Sequence, residues 1–244
     1  MKIISLPVLD DNYIHILRDD SSNTTIVVDP ASTEPVLKAL AENNWPLTHI
    51  LITHHHGDHI GGVAGLVARF PACEIFGYGP DQSRLPRLTH LVGDGDVVKI
   101  ANHIFEVWHL PGHTTGHIGY ISRQLEIAFT GDVLFGMGCG RLFEGSPVEM
   151  FKSLSRFKSL SLATKIYCTH EYTVTNGHFA LSVLPDNKKI SERLQKSISL
   201  RKDGKFTVPL TLSEELETNP FLLAENVSVF TNFREQRNVF KVAT

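Results

Sequence analysis

The segment Leu51–Gly62, LITHHHGDHIGG, places four histidines and an aspartate within the six positions from His54 to His59. Imidazole nitrogens and carboxylate oxygens are ligands for divalent transition ions. The apolar run Ile50–Ile52 reads as the end of a strand. His54 and His56, two positions apart, therefore point the same way while the chain stays extended, and His55 faces away. Gly57 permits a sharp turn, and Asp58 and His59 follow just before IGGVAGLVARF, which reads as the start of a helix. Two side chains from a strand end and two from the next helical turn converge on one small volume. That makes the segment a metal-site candidate rather than a solvated histidine-rich loop.

A pair of ions needs more ligands than one turn supplies. Further candidates stand just past other apolar runs, where a loop at a sheet edge carries them: His113 in LPGHTTGH, Asp132 in AFTGD and His170 in IYCTHE. Taken singly, His113 or His170 is the kind of histidine that more often packs structurally. Together with the cluster they extend a ligand set of nitrogen and carboxylate without sulfur, which suits zinc first and leaves iron and manganese open.

The elements that must position these residues are short. TTIVVDP, THILITH, CEIFGYG, DVVKI, IFEVWHL, HIGYIS, LEIAFTGD and KIYCTHE read as strands, rich in Ile, Val, Phe and Tyr and bounded by Gly, Pro, Asp or His. Helices are expected over Glu34–Asn43, Gly61–Phe70 and Pro147–Ser159, the last opened by Ser146, Pro147 and Glu149, a capping-box pattern. After His170 the strand signals nearly stop. EYTVTNGHFALSVLP and NKKISERLQKSISLRKDG have helical spacing, with Ile190, Leu194 and Ile198 four apart, and a third helix is expected over Asn226–Phe240. The class is α+β, with sheets covered by helices and a mainly helical carboxy-terminal subdomain beginning near residues 170–176.

Composition narrows the function classes. The 244 residues carry a net charge of −3 and 42% hydrophobic residues, and no stretch approaches the roughly 20 apolar residues that cross a bilayer. Pro7 and the Asp10-Asp11 pair interrupt the amino-terminal apolar run before a signal-peptide core forms, so a cytoplasmic protein is expected. Three scattered cysteines, Cys73, Cys139 and Cys168, provide neither a disulfide framework nor a cysteine zinc site. Residues 187–244 hold ten Lys/Arg against seven Asp/Glu, whereas residues 1–186 hold thirteen against nineteen. That balance argues against nucleic acid as a partner and leaves a mildly basic tail.

In order along the chain, Asp29 in VVDP, the H-x-H-x-D-H run from His54 to His59, His113, Asp132 and His170 match five motifs, and the set resembles the metallo-β-lactamase superfamily. The resemblance implies an αββα sandwich with metals at one sheet edge. By that likeness His54, His56 and His113 hold one ion, Asp58, His59 and His170 hold a second, and Asp132 bridges them. Asp29 stands behind the ligands and orients their loop, while His55 and His117 receive no metal role. Two such ions, roughly 3.5–4 Å apart, hold a bridging water and lower its pKa from about 15.7 toward 7. Asp132 and Asp58 are the expected catalytic residues, Asp58 also orienting the resulting hydroxide.

Narrower features point to one branch. GCGRLFEG (Gly138–Gly145), Glu171-Tyr172 directly after His170, NFREQRNVFK near the carboxy terminus, LPVLDDNYIHIL and LVGDGD closely resemble glyoxalase II, the hydroxyacylglutathione hydrolases. The resemblance covers essentially the whole chain. It implies a catalytic domain over 1–172 and a helical substrate-binding subdomain over 173–244. The implied reaction is hydrolysis of S-D-lactoylglutathione to glutathione and D-lactate, the second step of methylglyoxal detoxification, by a monomer; another thioester or ester is the alternative. Arg141, Phe143, Tyr172, Arg234 and Arg237 fall where that family meets the glutathione moiety. Guanidinium groups suit its two carboxylates, and Arg234 and Arg237, three apart on a helix, share a face. Members of the family often carry Lys at the positions of Arg141 and Arg237 and Tyr at that of Phe143. Charge is thus kept twice, a hydroxyl is lost once, and a core or lid role for Phe143 stays open. A flavodiiron relative would carry Glu in place of His56, a secreted β-lactamase an export signal and often Cys in place of Asp132, and an RNA-processing relative a basic arm.

Overall fold

A computed structural model describes residues 1–242, so the last two residues of the expected 173–244 subdomain lie outside the described residues. The chain forms two compact units. One comprises Met1–His109 with Gly116–Leu125, and the other comprises Leu110–Thr115 with the chain from Glu126 onward.

The first unit is built on a six-stranded sheet in the order β1 (Lys2–Val8), β2 (Asn12–Asp19), β3 (Thr24–Val28), β4 (His49–Leu51), β5 (Glu74–Tyr78) and β6 (His90–Val92). The first three strands run antiparallel, and β3 to β6 are parallel. β1 and β2 go beyond the strands read from sequence. Pro7 is tolerated because β1 is an edge strand, and Asp10 and Asp11 lie in the turn between the two. The interior of β3 and β4 is apolar and buried, as expected for parallel strands covered on both faces. Val27, Ile50 and Ile75 pack with Val36 and Leu40 of α1 (Thr33–Asn43) and with Val63 and Leu66 of a later helix. A meander of β7 (Val97–Ile100), β8 (His103–His109) and β9 (Ile118–Ser122) completes the unit. The Tyr120 hydroxyl of β9 reaches the carbonyls of Ile52 (3.1 Å) and Phe76 (3.2 Å), and Ile118 N–H donates to Thr53 O at 2.9 Å. The meander thereby fixes the backbone just before His54.

The helix expected over Gly61–Phe70 is α3 (Val63–Arg69), which starts two residues later than expected and is preceded by a separate helical turn, α2 (Gly57–Ile60). The break falls at the glycine pair because the backbone passes against the Pro30–Ser32 segment there. Gly62 N–H donates to Pro30 O at 2.7 Å, and a Cβ on Gly62 would lie 2.6 Å from the Ser32 carbonyl carbon. Sequence periodicity treats those glycines as helix filler, whereas close approach is what requires them.

In the second unit β10 (Ile127–Gly131) pairs in parallel with β13 (Lys165–Cys168), which pairs antiparallel with β14 (Leu210–Thr211). β11 (Leu134–Phe135) and β12 (Gly138–Cys139) form a small hairpin. α4 (Pro147–Phe157) follows, with both hydrogen bonds of the Ser146/Glu149 capping box in place, and it buries Met150, Leu154 and Phe157 at helical spacing. The carboxy-terminal part is helical as expected: α5 (Thr173–Val183), α6 (Lys188–Lys202), α7 (Leu212–Thr218), α8 (Pro220–Leu223) and α9 (Val227–Val239). Ile190 and Leu194 of α6 are buried and Ile198 is half-buried, which gives the expected stripe. Asn226 caps α9 by accepting from Val229 N–H. Among the described residues no helix is long and apolar enough to cross a membrane.

The capping box gives a direct test of this local reading. Ser146→Ala should cost about 1 kcal/mol, seen as a drop of about 2–4 °C in the thermal midpoint for a chain of this size.

Candidate metal centre and substrate pocket

The first unit carries one cluster of candidate ligands where β4 gives way to α2. His54 and His59 are buried, and His56 and Asp58 are half-buried. The His54 and His56 rings lie 4.6 Å apart with Nε2 of His54 3.0 Å from Nδ1 of His56, and the His54 and His59 rings are 4.0 Å apart. Asp58 Oδ2 lies 3.7 Å from His59 Nε2 and accepts from Asn12 Nδ2 at 3.0 Å. His55 turns elsewhere, toward Asp81 and Arg84. His117 packs its ring 4.8 Å from that of His54.

Behind the ligands sits Asp29, 1% exposed and at φ 47°. Its Oδ1 accepts from Thr53 N–H (2.8 Å), and its Oδ2 accepts from the Thr53 hydroxyl (2.7 Å) and from His59 Nδ1 (3.0 Å). These contacts settle two tautomers. His59 holds its proton on Nδ1, facing the carboxylate. The Thr53 hydroxyl, whose one O–H is directed at Asp29, is left to accept from His54 Nδ1 at 3.1 Å. Both rings then present Nε2 with a lone pair, the form in which imidazole binds metal.

The second unit carries a second cluster. Asp132 and His170 follow the carboxyl ends of β10 and β13, which are adjacent parallel strands. Asp132 Oδ2 lies 3.3 Å from Nε2 of His113 and 3.3 Å from Nε2 of His170. His113 Nδ1–H donates to the Arg141 carbonyl at 2.8 Å, so here too Nε2 is the lone-pair nitrogen. The His170 ring stacks on Tyr172 at 4.9 Å and 2°. The turn after Asp132 folds back on it, and a Cβ at Gly140 would lie only 1.9 Å from Asp132 O, so no larger residue fits.

Beside Asp132 in sequence, the β11–β12 hairpin and its continuation wall a pocket of about 180 Å³. Its lining includes Cys139, Arg141, Tyr172, Asn176, Arg234 and Arg237. Four of the five residues expected to meet substrate are thus together. Phe143 is absent from this lining. It is 60% exposed, with its ring 5.2 Å from that of His113 and 5.5 Å from the Arg141 guanidinium. Arg234 is 6% exposed and its Nη1 donates to the carbonyls of Cys139 (2.8 Å) and Gly140 (3.3 Å). Arg237 Nε donates to Asn176 Oδ1 at 3.1 Å, and burial, with Arg234 nearby, lowers its pKa from the usual arginine value. Burial pushes the Cys139 thiol up, although Arg234 pulls the other way, so the pocket holds a neutral thiol rather than a nucleophile.

A family model described as the metallo-β-lactamase superfamily matches residues 10–178, and a model described as the hydroxyacylglutathione hydrolase C-terminus matches residues 171–242. Over 255 aligned residues the chain is 40% identical to a hydroxyacylglutathione hydrolase of Methylococcus capsulatus, covering 99% of each. The chain belongs to the hydroxyacylglutathione hydrolase family. A member from Synechococcus is 42% identical, covering 98% of this chain and all of its own. The crystal structure of ETHE1 from Myxococcus xanthus superposes with a TM-score of 0.74 at 25% identity, covering 99% of this chain and 93% of its own. The hydroxyacylglutathione hydrolase family thus brings with it the metallo-β-lactamase fold, followed here by a helical carboxy-terminal region.

Reading this member of the hydroxyacylglutathione hydrolase family from sequence misses the supports. Thr53, Asn12 and Asn176 are ordinary polar residues there, and only their partners give them a role. Asp29→Asn isolates one support, because Asn tolerates the left-handed φ as well as Asp does and keeps an acceptor for Thr53 N–H. The amide nitrogen would oppose His59 Nδ1–H. Divalent-metal affinity is expected to fall about 10- to 100-fold, measured by competition with a chromogenic chelator, with the melting profile of the metal-free protein little changed.

Proposed function

We propose that the protein hydrolyses S-D-lactoylglutathione to glutathione and D-lactate, the second step of methylglyoxal detoxification, at a centre of two divalent metal ions with zinc as the first choice. The observation that carries this reading is end-to-end likeness to hydroxyacylglutathione hydrolases, with the C-terminal family model spanning Tyr172, Arg234 and Arg237 of the arginine-lined pocket. In support of a shared centre, a single family model spans both ligand clusters. The donor set fits such ions, being imidazole and carboxylate with Nε2 of His54, His59 and His113 left as lone-pair nitrogens by their partners.

In this proposal His54, His56 and His113 would hold one ion and Asp58, His59 and His170 the other, with Asp132 shared between the two. When bound, such ions would supply Lewis acidity and make water nucleophilic at neutral pH. The chain's own residues do the rest. Asn12 holds one oxygen of Asp58, so the carboxylate would be oriented both as ligand and to direct the attacking hydroxide. Arg141 and Arg237 bring guanidinium forks to the carboxylates of the tripeptide, with Arg234 adding charge from the buried wall and Tyr172 packing beside them. Phe143, apolar and exposed beside Arg141, covers the approach without a hydroxyl to offer. Catalytic and substrate-binding regions divide at 172/173, which is supported by the overlap of the two family models at 171–178. In this reading the working unit is a single chain of the cytoplasm, and Cys73 and Cys139 are free thiols, as suits a reducing compartment.

Purified protein should release thiol from S-D-lactoylglutathione, and Asp132→Ala should lower kcat by more than about 100-fold. Full activity in protein stripped of metal, verified by elemental analysis, would sink the reading; activity confined to a different thioester or ester would favour the alternative substrate class.

The pocket is tested separately. Arg237→Ala should raise KM for the glutathione thioester by about 10- to 100-fold, the value of a lost charge-assisted hydrogen bond, and Arg234→Ala should raise it in the same direction by removing charge and the hold on the Cys139 and Gly140 carbonyls. KM for an N-acetylcysteamine thioester, which lacks the tripeptide, should hardly move. Equal effects on both substrates would remove these arginines from the substrate pocket.

A further inference from the structure

The run Phe135–Gly140, FGMGCG, has three glycines, and its backbone would sample many conformations if left to itself. Met137 at its centre adopts φ 51°, the left-handed region that a side-chain-bearing residue rarely enters unaided. The carboxy-terminal helices impose the shape. Asn219 Nδ2 meets the carbonyls of Phe135 (3.1 Å) and Gly138 (2.9 Å). Asn176 Nδ2 donates to Gly136 O at 3.1 Å, and Arg234 takes the carbonyls of Cys139 and Gly140. The strained residue itself donates its N–H to Glu215 Oε2 at 3.0 Å.

Glu215 is fully buried in α7 and stands at the hub. Besides Met137 N–H it accepts from Asn219 Nδ2 at 2.9 Å and from the buried guanidinium of Arg193, whose other nitrogen donates to Thr218 at 2.6 Å. A buried ion pair is weak evidence for stability, since an apolar pair of similar volume often replaces it without loss. What an apolar pair cannot replace is the acceptor that Glu215 gives to the backbone of Met137 and the hold it keeps on the Asn219 amide.

We propose that Glu215 is a positioning residue for the tripeptide subsite: acting with Asn219, it sets the backbone of residues 135–138 and so places the Cys139–Arg141 wall of the pocket opposite Tyr172 and Arg237. This rests on the functional reading given above. Arg193 then serves to balance the Glu215 charge, and the two roles can be separated.

Two doubly substituted holoenzymes separate them. Arg193→Met/Glu215→Gln removes both charges and keeps a side-chain oxygen for Met137 N–H, whereas Arg193→Met/Glu215→Met removes the charges and the acceptor. With metal content matched, the Gln variant should keep KM for S-D-lactoylglutathione within about threefold of the parent. The Met variant should raise it about tenfold or more while leaving KM for an N-acetylcysteamine thioester nearly unchanged, the split expected when substrate placement rather than folding is lost. Should the Met variant fail to fold, Asn219→Ser, which leaves the Arg193–Glu215 pair intact, must show the same split. If the parent is active and the two double variants share one KM, or if folded Asn219→Ser leaves both KM values at the parent level, the inference is overturned. A parent inactive on S-D-lactoylglutathione overturns the functional reading and this inference with it.

Discussion

Asp29 lies at the end of β3 with its carboxylate removed from water, and both of its oxygens are bonded to the ligand loop that follows the neighbouring strand. A buried carboxylate is costly unless donors surround it, and here every donor just named belongs to Thr53 or His59. The loop in turn has no regular structure between Leu51 and Gly57 to hold it. Each therefore completes the other. Parallel pairing of β3 with β4 brings the two within reach, and the Gly61–Gly62 break lets the chain turn back against Pro30 and Ala31 beside the same aspartate. Without that close passage His59 would leave Asp29, and with it would go the preference for the Nδ1–H tautomer.

The second unit solves the same problem with a neutral partner. His113 is fixed by the carbonyl of Arg141 rather than by a carboxylate, so its orientation depends on the backbone path after the β11–β12 hairpin. That path also carries the guanidinium that faces the pocket. The orientation of His113 and the placing of Arg141 in the pocket wall therefore share one stretch of main chain, from Gly140 to Arg141. This coupling gives a physical reason for the number of helical side chains that end on the preceding residues.

The candidate ligands were legible because metal sites demand particular atom types, and those types are dense in a few short stretches of this sequence. The strand ends that carry Asp132 and His170 were legible for the same reason that parallel strands are, as short apolar runs between turn residues. What escaped is long-range or carried by the backbone. Asn12 lies 46 residues from Asp58, and Glu215 lies 78 from Met137, so no local pattern marks either as a partner. The helix expected over Gly61–Phe70 is present but starts only at Val63, because periodicity does not register the backbone passing within 3 Å of where a Cβ on Gly61 or Gly62 would stand. Arg234 and Arg237 were expected to share a face, and both line the pocket. Their spacing could not show that Arg234 would be the more buried and bonded to carbonyls.

That difference bears on how the pocket is charged. Among the described residues neither Arg234 nor Arg237 forms an ion pair. Arg234 lies over the Phe221 ring at 5.3 Å and Arg237 over Phe179 at 6.0 Å, and their hydrogen bonds go to carbonyls, the Cys139 sulfur and an amide. Carbonyl dipoles and aromatic faces hold a guanidinium in place without neutralising it. The folded protein bears the cost of two half-compensated positive charges, which burial makes plain in the lowered pKa of Arg237. A carboxylate built into the same wall would relieve that cost and stabilise the fold, but it would also occupy the position an anionic substrate needs. Local instability of this kind suits the carboxylate binding proposed for this pocket, since the fold already holds both arginines in place before any ligand arrives.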